Sequence, residues 1–247
     1  MTVRRWGTGP RHAVLLHGST SSSATWWRVG PALAARGWTV TAPDLPGHGD
    51  SPAPGVPLLP QTAADPVRTQ LGEDPVDLLV GHSFGAAVAA LLLDRRPARA
   101  VLEELPGPAS VDWPAEAAAV RAGAAEAHAD PAGTLARTRA AQPRWADQDC
   151  RHAVRDLARC AADDVAGGLA RGGDWPPVEP VDIPVLLLLA PDAPGRNHLA
   201  DATALRGPDR TRAQATLHAE LRVLDTGHCL HRDDPDGWLD AVTGWAG

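Results

Sequence analysis

Short apolar runs closed by turn residues recur along the first hundred positions, and each is followed by a stretch with helical spacing. Short, mostly apolar runs of four or five residues suit strands buried on both faces, and their alternation with helices is the pattern of a parallel sheet covered by helices. Residues 13–16, 39–42 and 76–80 provide the first three expected strands, and 100–104, 185–189 and 221–224 the later ones. Helical spacing over 26–36 stops at Gly37, a residue suited to closing a helix. An Ala- and Leu-rich helix over 84–96 stops before Pro97. A closing helix is expected over 238–245.

The alternation breaks once. From 106 to about 180 the strand signals vanish and Ala-, Arg- and Glu-rich helical segments take over, punctuated by Pro114, Pro131, Pro143 and the pair Gly172 and Gly173. So long a stretch exceeds one crossover. The expected organisation is an α/β core over 1–106 and 181–247, its mostly parallel central sheet wrapped by helices, with a helical cap inserted over 107–180.

Composition narrows the function classes. A chain of 247 residues, 44% hydrophobic, can bury a substantial core. Net charge is -7, and the 23 basic residues are all arginine and scattered, which leaves no footprint for nucleic acid. Cys150, Cys160 and Cys229 are odd in number and lack metal-ligand spacing, so neither a disulfide framework nor a metal site is expected. The first residues lack the apolar core of a signal peptide and no apolar run is long enough to span a bilayer. The expectation is a cytoplasmic protein with no nucleic-acid partner, no membrane partner and no cofactor.

The chemistry concentrates at Gly81, His82, Ser83, Phe84 and Gly85, a G-x-S-x-G pattern placed directly after a strand and directly before a helix. Such a turn is too sharp for side chains two before and two after the serine. It exposes the Ser83 hydroxyl above a helix N-terminus. A serine hydroxyl needs a base to take its proton. His228, in the loop after the last expected strand and after every acid candidate, is the best placed histidine. Attack on a carbonyl also builds an oxyanion. Backbone N–H groups of Ser19, just past His17 and Gly18 on the first strand's exit, and of Phe84 are the candidate donors.

These features together resemble the α/β-hydrolase superfamily, specifically its capped, lipase- and esterase-like branch. The resemblance rests on His17 and Gly18, on the segment 42–51 (APDLPGHGDS), on the serine turn at 81–85, and on Gly227 and His228. It covers nearly the whole chain except the cap. It implies a serine hydrolase acting on a small-molecule carboxylic ester, lactone or thioester through an acyl-enzyme intermediate. Relatives with an aspartate nucleophile, the haloalkane dehalogenases and epoxide hydrolases, differ at the residue Ser83 occupies. Two other readings stay open: a biosynthetic enzyme using the same site for cyclisation, elimination or C–C cleavage, and a receptor that keeps the pocket to sense a ligand.

The third catalytic group departs from the family's pattern. Relatives place an aspartate shortly after the strand matching 185–189, two residues past a glycine. Here the stretch reads Ala190, Pro191, Asp192, Ala193, with no glycine and the acid about one position early. Some relatives carry the acid after the preceding strand, where this chain has Glu103 and Glu104. Adjacent carboxylates on a strand point to opposite faces, so only one could reach His228. Asp192 is preferred over Glu104 because its loop is the commoner acid position. Trp26, Trp27, Trp113 and Trp145, with Trp175, are candidates to line the substrate pocket, although large aromatic residues also fill cores.

Overall fold

The computed structural model describes residues 1–94, 97–107, 111–192 and 204–246. Its strands are β1 (Val3–Trp6), β2 (Arg11–Leu16), β3 (Trp38–Pro43), β4 (Leu78–His82), β5 (Ala100–Glu103), β6 (Val185–Leu189) and β7 (Glu220–Val223). Its α-helices are α1 (Val29–Ala34), α2 (Pro60–Leu71), α3 (Phe84–Ala90), α4 (Trp113–Ala129), α5 (Pro131–Ala141), α6 (Asp147–Arg159), α7 (Ala162–Leu169), α8 (Gly207–Thr216), α9 (Leu230–Asp233) and α10 (Pro235–Ala246). The strands form one sheet in the order β1-β3-β2-β4-β5-β6-β7. Among these strands, β1 and β3 pair antiparallel and every other neighbouring pair is parallel.

The central strands carry buried apolar runs because helices cover both faces. Val14, Leu16, Leu79, Leu102 and Leu187 pack on one face with Val67 of α2 and Val88 of α3. Their chain neighbours Leu15, Val80, Val101 and Leu186 pack on the other, with Leu33 of α1 and Trp238 of α10. Leu15, Leu16, Leu186 and Leu187 have no exposed surface, and each such burial favours folding by roughly 2 kcal/mol. The chain winds outward from β2 to β3 and then returns to β4 on the opposite side of β2. Ligands bind in open α/β sheets outside the C-terminal strand ends, where the winding reverses. Here those ends carry Gly18 and Ser83.

Between β5 and β6 the chain forms α4 to α7, with α4 packed on α6 and α7, and α5 on α6. This is the expected helical cap. Two buried carboxylates of α6 tie it to the core: Asp156 accepts from Ser22 Oγ at 2.6 Å, and Asp149 from Trp27 Nε1 at 2.7 Å. Among the described residues no helix is long and apolar enough to cross a membrane.

Several boundaries differ from those expected. The span 26–36 divides into a 3-10 turn, Ser23–Trp26, and α1. Helix α3 ends at Ala90, six residues early, and Arg95 and Arg96 lie outside the described residues, as does Ala193. Strand β5 stops at Glu103 because Glu104 adopts a left-handed backbone, φ 50°. Strand β1 and helices α2 and α8 were not anticipated. Helix α2 begins at Pro60 and contains Pro66, so its pattern reads as broken although its buried residues Ala63, Ala64 and Val67 keep helical spacing.

Candidate active site

Ser83 occupies the turn between β4 and α3 with φ 52° and ψ −119°, a strained conformation for a residue with a side chain. Its backbone N–H donates to the Glu103 carbonyl at 2.9 Å, which locks the turn to the neighbouring strand. A Cβ at Gly81 would collide with the Gly85 carbonyl, and one at Gly85 with the carbonyls of Leu16 and His17. That crowding is why glycines flank the serine. Phe84 is the first residue of α3, where backbone N–H groups lack intrahelical acceptors. Among the described residues, no acceptor takes the N–H of Phe84 or of Ser19.

The loop carrying Ser19 is braced by the segment after β3. His17 donates from Nδ1 to the Gly18 carbonyl at 2.8 Å and accepts from Leu45 N at 2.9 Å through Nε2. His48 donates from Nδ1 to the Pro46 carbonyl at 2.9 Å and accepts from Thr20 N at 3.2 Å. Burial would raise the Asp44 carboxyl, but the N–H groups of Asp50 and Ser23 outweigh it and hold the group below its usual range. Both histidines are fully buried and work as neutral rings. Burial pulls His17 down to about 4 and His48 down to about 3.

Those two depressions predict an acid-labile fold. An unfolded histidine titrates near 6.5, so below that pH the unfolded chain takes up protons that native His17 and His48 refuse. Stability is therefore full above about pH 6.5 and falls as pH drops toward 4, by about 2.7 kcal/mol per pH unit from two such groups. Urea unfolding at pH 7.5, 6 and 5 checks this; a constant midpoint would refute it.

His228 lies in the loop between β7 and α9. Its Nδ1 lies 3.1 Å from Glu104 Oε2, and the Glu104 side chain has no exposed surface. Glu104 Oε1 accepts from Ala190 N at 2.7 Å, and Arg206 Nη2 donates to Oε2 at 2.8 Å. Burial alone would raise this carboxyl, yet the bonds and charges of His228 and Arg206 prevail and lower it. Asp192, preferred above, is elsewhere: Arg210 holds it at 2.7 Å and Arg206 Nε lies 3.8 Å away. The left-handed turn at Glu104 brings that carboxylate to His228, so Glu104 and not Asp192 meets the imidazole.

Glu103, still on the strand, points the other way, as the pleat requires. It accepts from His231 Nδ1 at 2.7 Å and Trp238 Nε1 at 2.9 Å. His231 Nε2 pairs with Thr25 Oγ1 at 2.7 Å, and His82 Nε2 donates to the His228 carbonyl at 3.0 Å. His82, Glu103 and His231 lie close enough to suggest a metal cluster. Most of their ligand atoms are already spent on these bonds, so the set functions as a brace under the His228 loop.

Two cavities meet at Ser83 and His228. One, of about 220 Å³, is bounded by Ser21, Trp145, Leu157 and Arg232; the other, of about 340 Å³, by Phe84, Trp113, Glu116 and Trp175. Ser19 borders both. Of the expected pocket tryptophans, Trp113 and Trp145 line these spaces. Trp26 instead packs in the core against Trp238 and His231, and Trp27 turns to Asp149 and His152. Arg206 and Arg232 were not anticipated. No local pattern marked the second, because His228 precedes helix α9 and its spacing to Arg232 is not helical.

The chain matches the model of the alpha/beta hydrolase family over residues 13–241. It is 39% identical over 98 residues to Lipase LipV of Mycobacterium tuberculosis, 38% of this chain and 36% of that protein. It is 35% identical over 92 residues to Methylesterase 1 of Arabidopsis thaliana, 35% of each chain. The match thus spans about a third of the length of these curated relatives. Among solved structures, the enol-lactonase from Burkholderia xenovorans superposes with TM-score 0.74 at 20% identity, covering 99% of this chain and 95% of that one. The thioesterase domain from the curacin biosynthetic pathway superposes with TM-score 0.72 at 21% identity over 98% and 94%. The sheet order, the serine turn and a family match that runs nearly end to end establish that this chain belongs to the alpha/beta hydrolase family.

Proposed function

We propose that the protein is a serine hydrolase of small carboxylic esters, lactones or thioesters. The observation that carries this is the strained Ser83 turn opening onto the same cavities as His228, whose Nδ1 is held by the buried Glu104. In this reading Nδ1–H bonds to Glu104, so Nε2 is free to take the Ser83 proton as Oγ attacks the carbonyl. The N–H groups of Ser19 and Phe84 receive the developing oxyanion. His228 then protonates the departing alcohol, lactone oxygen or thiolate, and activates a water that releases the acid from Ser83. The matches to a lipase and a methylesterase fit ester chemistry, and serine at position 83, where epoxide hydrolases carry aspartate, supports it over epoxide opening.

A fluorophosphonate probe and a panel of short 4-nitrophenyl esters test the proposal. Rapid labelling that peptide mass spectrometry maps to Ser83, with release of both carboxylic acid and nitrophenol, is the expected result. A folded protein that neither labels nor turns over any ester would favour the ligand-sensing alternative.

A further inference from the structure

We propose that the smaller cavity is an anion subsite built around Arg232, and that the preferred substrates carry a carboxylate beside the bond to be cleaved. That the bound anion is part of a substrate rests on the hydrolase reading of Ser83; the anion site itself stands on separate observations.

Arg232 is 5% exposed, yet among the described residues no carboxylate lies within salt-bridge distance of its guanidinium. Buried charges are costly unless paired, so a buried arginine without a counter-ion calls for one. Nε donates to Thr25 Oγ1 at 2.9 Å and Nη2 to Ser21 Oγ at 3.0 Å, both neutral acceptors. Nη1 donates to no described residue. The Arg232 guanidinium carbon lies 4.6 Å from the Trp145 ring centroid, a cation–π contact that offsets only part of the desolvation.

Among the described residues no neighbouring acid bonds to the guanidinium directly, each being held by other donors. Asp149 is taken by Trp27 Nε1 and the Ala146 N–H, and Asp156 by Ser22 and Arg155. Asp233 accepts from Gly227 N. Arg232 borders the same 220 Å³ space as Ser83 and His228, so an anion bound there belongs to a molecule that reaches the nucleophile. A planar guanidinium with unused N–H groups suits a carboxylate, which accepts two parallel bonds.

Charge also sets the orientation. The larger cavity contains Glu116, which repels an anion, and its walls are otherwise mainly apolar, including Trp113, Val120 and Trp175. A substrate with one charged and one apolar end therefore enters with its carboxylate toward Arg232 and its apolar part under α4.

The experiment uses matched pairs: mono-4-nitrophenyl glutarate against 4-nitrophenyl valerate, and 4-acetoxybenzoate against 4-tolyl acetate. These place the charge on the acyl or the alcohol side. Wild-type kcat/KM should favour the charged ester at least tenfold in one pair, and in Arg232→Gln that ratio should fall to one or below, with partial recovery in Arg232→Lys. A ratio cancels any general loss of active enzyme. In parallel, glutarate should raise the melting temperature of the wild type more than pentanamide does, a readout independent of turnover. Glutarate protection without hydrolysis of any ester would sink the ester reading and support the anion site. Wild-type hydrolysis with no charge preference in either pair, and no glutarate protection, would overturn the anion site and leave the ester reading standing. If Arg232→Gln does not fold, the wild-type preference and the glutarate shift still decide.

Discussion

Ser83→Ala is expected to lower kcat on any ester the wild type accepts by roughly three to six orders of magnitude, the range found when an activated serine is removed from its base. The prediction is sharp because the fold does not use the hydroxyl: among the described residues it makes no hydrogen bond, and only the backbone N–H of Ser83 ties the turn to Glu103. Alanine faces the same cost at φ 52° as serine, since the strain comes from Cβ. The variant should therefore melt within a few degrees of the wild type and keep its affinity for product acids. Circular dichroism, a thermal melt and stopped or continuous ester assays measure the two sides. Near-normal turnover by a folded Ser83→Ala protein would remove the nucleophile from the mechanism; loss of folding together with activity would show that the hydroxyl has a structural task.

What was legible in the sequence was whatever depends on local pattern. Residues 13–16 and 185–189 are apolar without a break, because both sheet faces are covered, and their strands appear in place. The glycines at 81 and 85 betray a turn whose crowding is local, so the position of Ser83 could be read directly. The partners of His228 could not. Whether Asp192 or Glu104 reaches it depends on one backbone torsion at Glu104 and on Arg206, which is 102 residues away in sequence. Neither leaves a periodic trace. The role of Arg232 was hidden for a similar reason: a basic residue in an acidic stretch of loop and short helix looks like a solvated ion pair until burial is known. The tryptophans divide on the same grounds, since Trp26 and Trp27 are adjacent in sequence but one enters the core and the other meets the cap.

Glu104→Gln is expected to cost about 10²- to 10⁴-fold in kcat, while Asp192→Asn changes it by only a few fold. The native carboxylate receives His228 Nδ1 and Arg206 Nη2 on the same oxygen, with Ala190 N on the other. A glutamine offers one acceptor oxygen and a donor NH₂ in that space. Arg206 cannot accept a hydrogen bond, so the amide oxygen turns toward the guanidinium and the Ala190 N–H, and the NH₂ faces His228. The imidazole then accepts at Nδ1 and carries its proton on Nε2, the tautomer that cannot take a proton from Ser83. The charge that would stabilise the imidazolium is lost as well. Among the described residues Asp192 pairs with Arg210 and, at 3.8 Å, with Arg206, on a partly solvated rim, so its amide removes a pairing worth little. Both variants should be assayed on one activated ester after a folding check, with Ser83→Ala as the floor. A large loss confined to Asp192→Asn would return the acid to the loop after β6 and reduce Glu104 to a brace for Arg206, whereas small losses in both would mean that His228 works without a carboxylate.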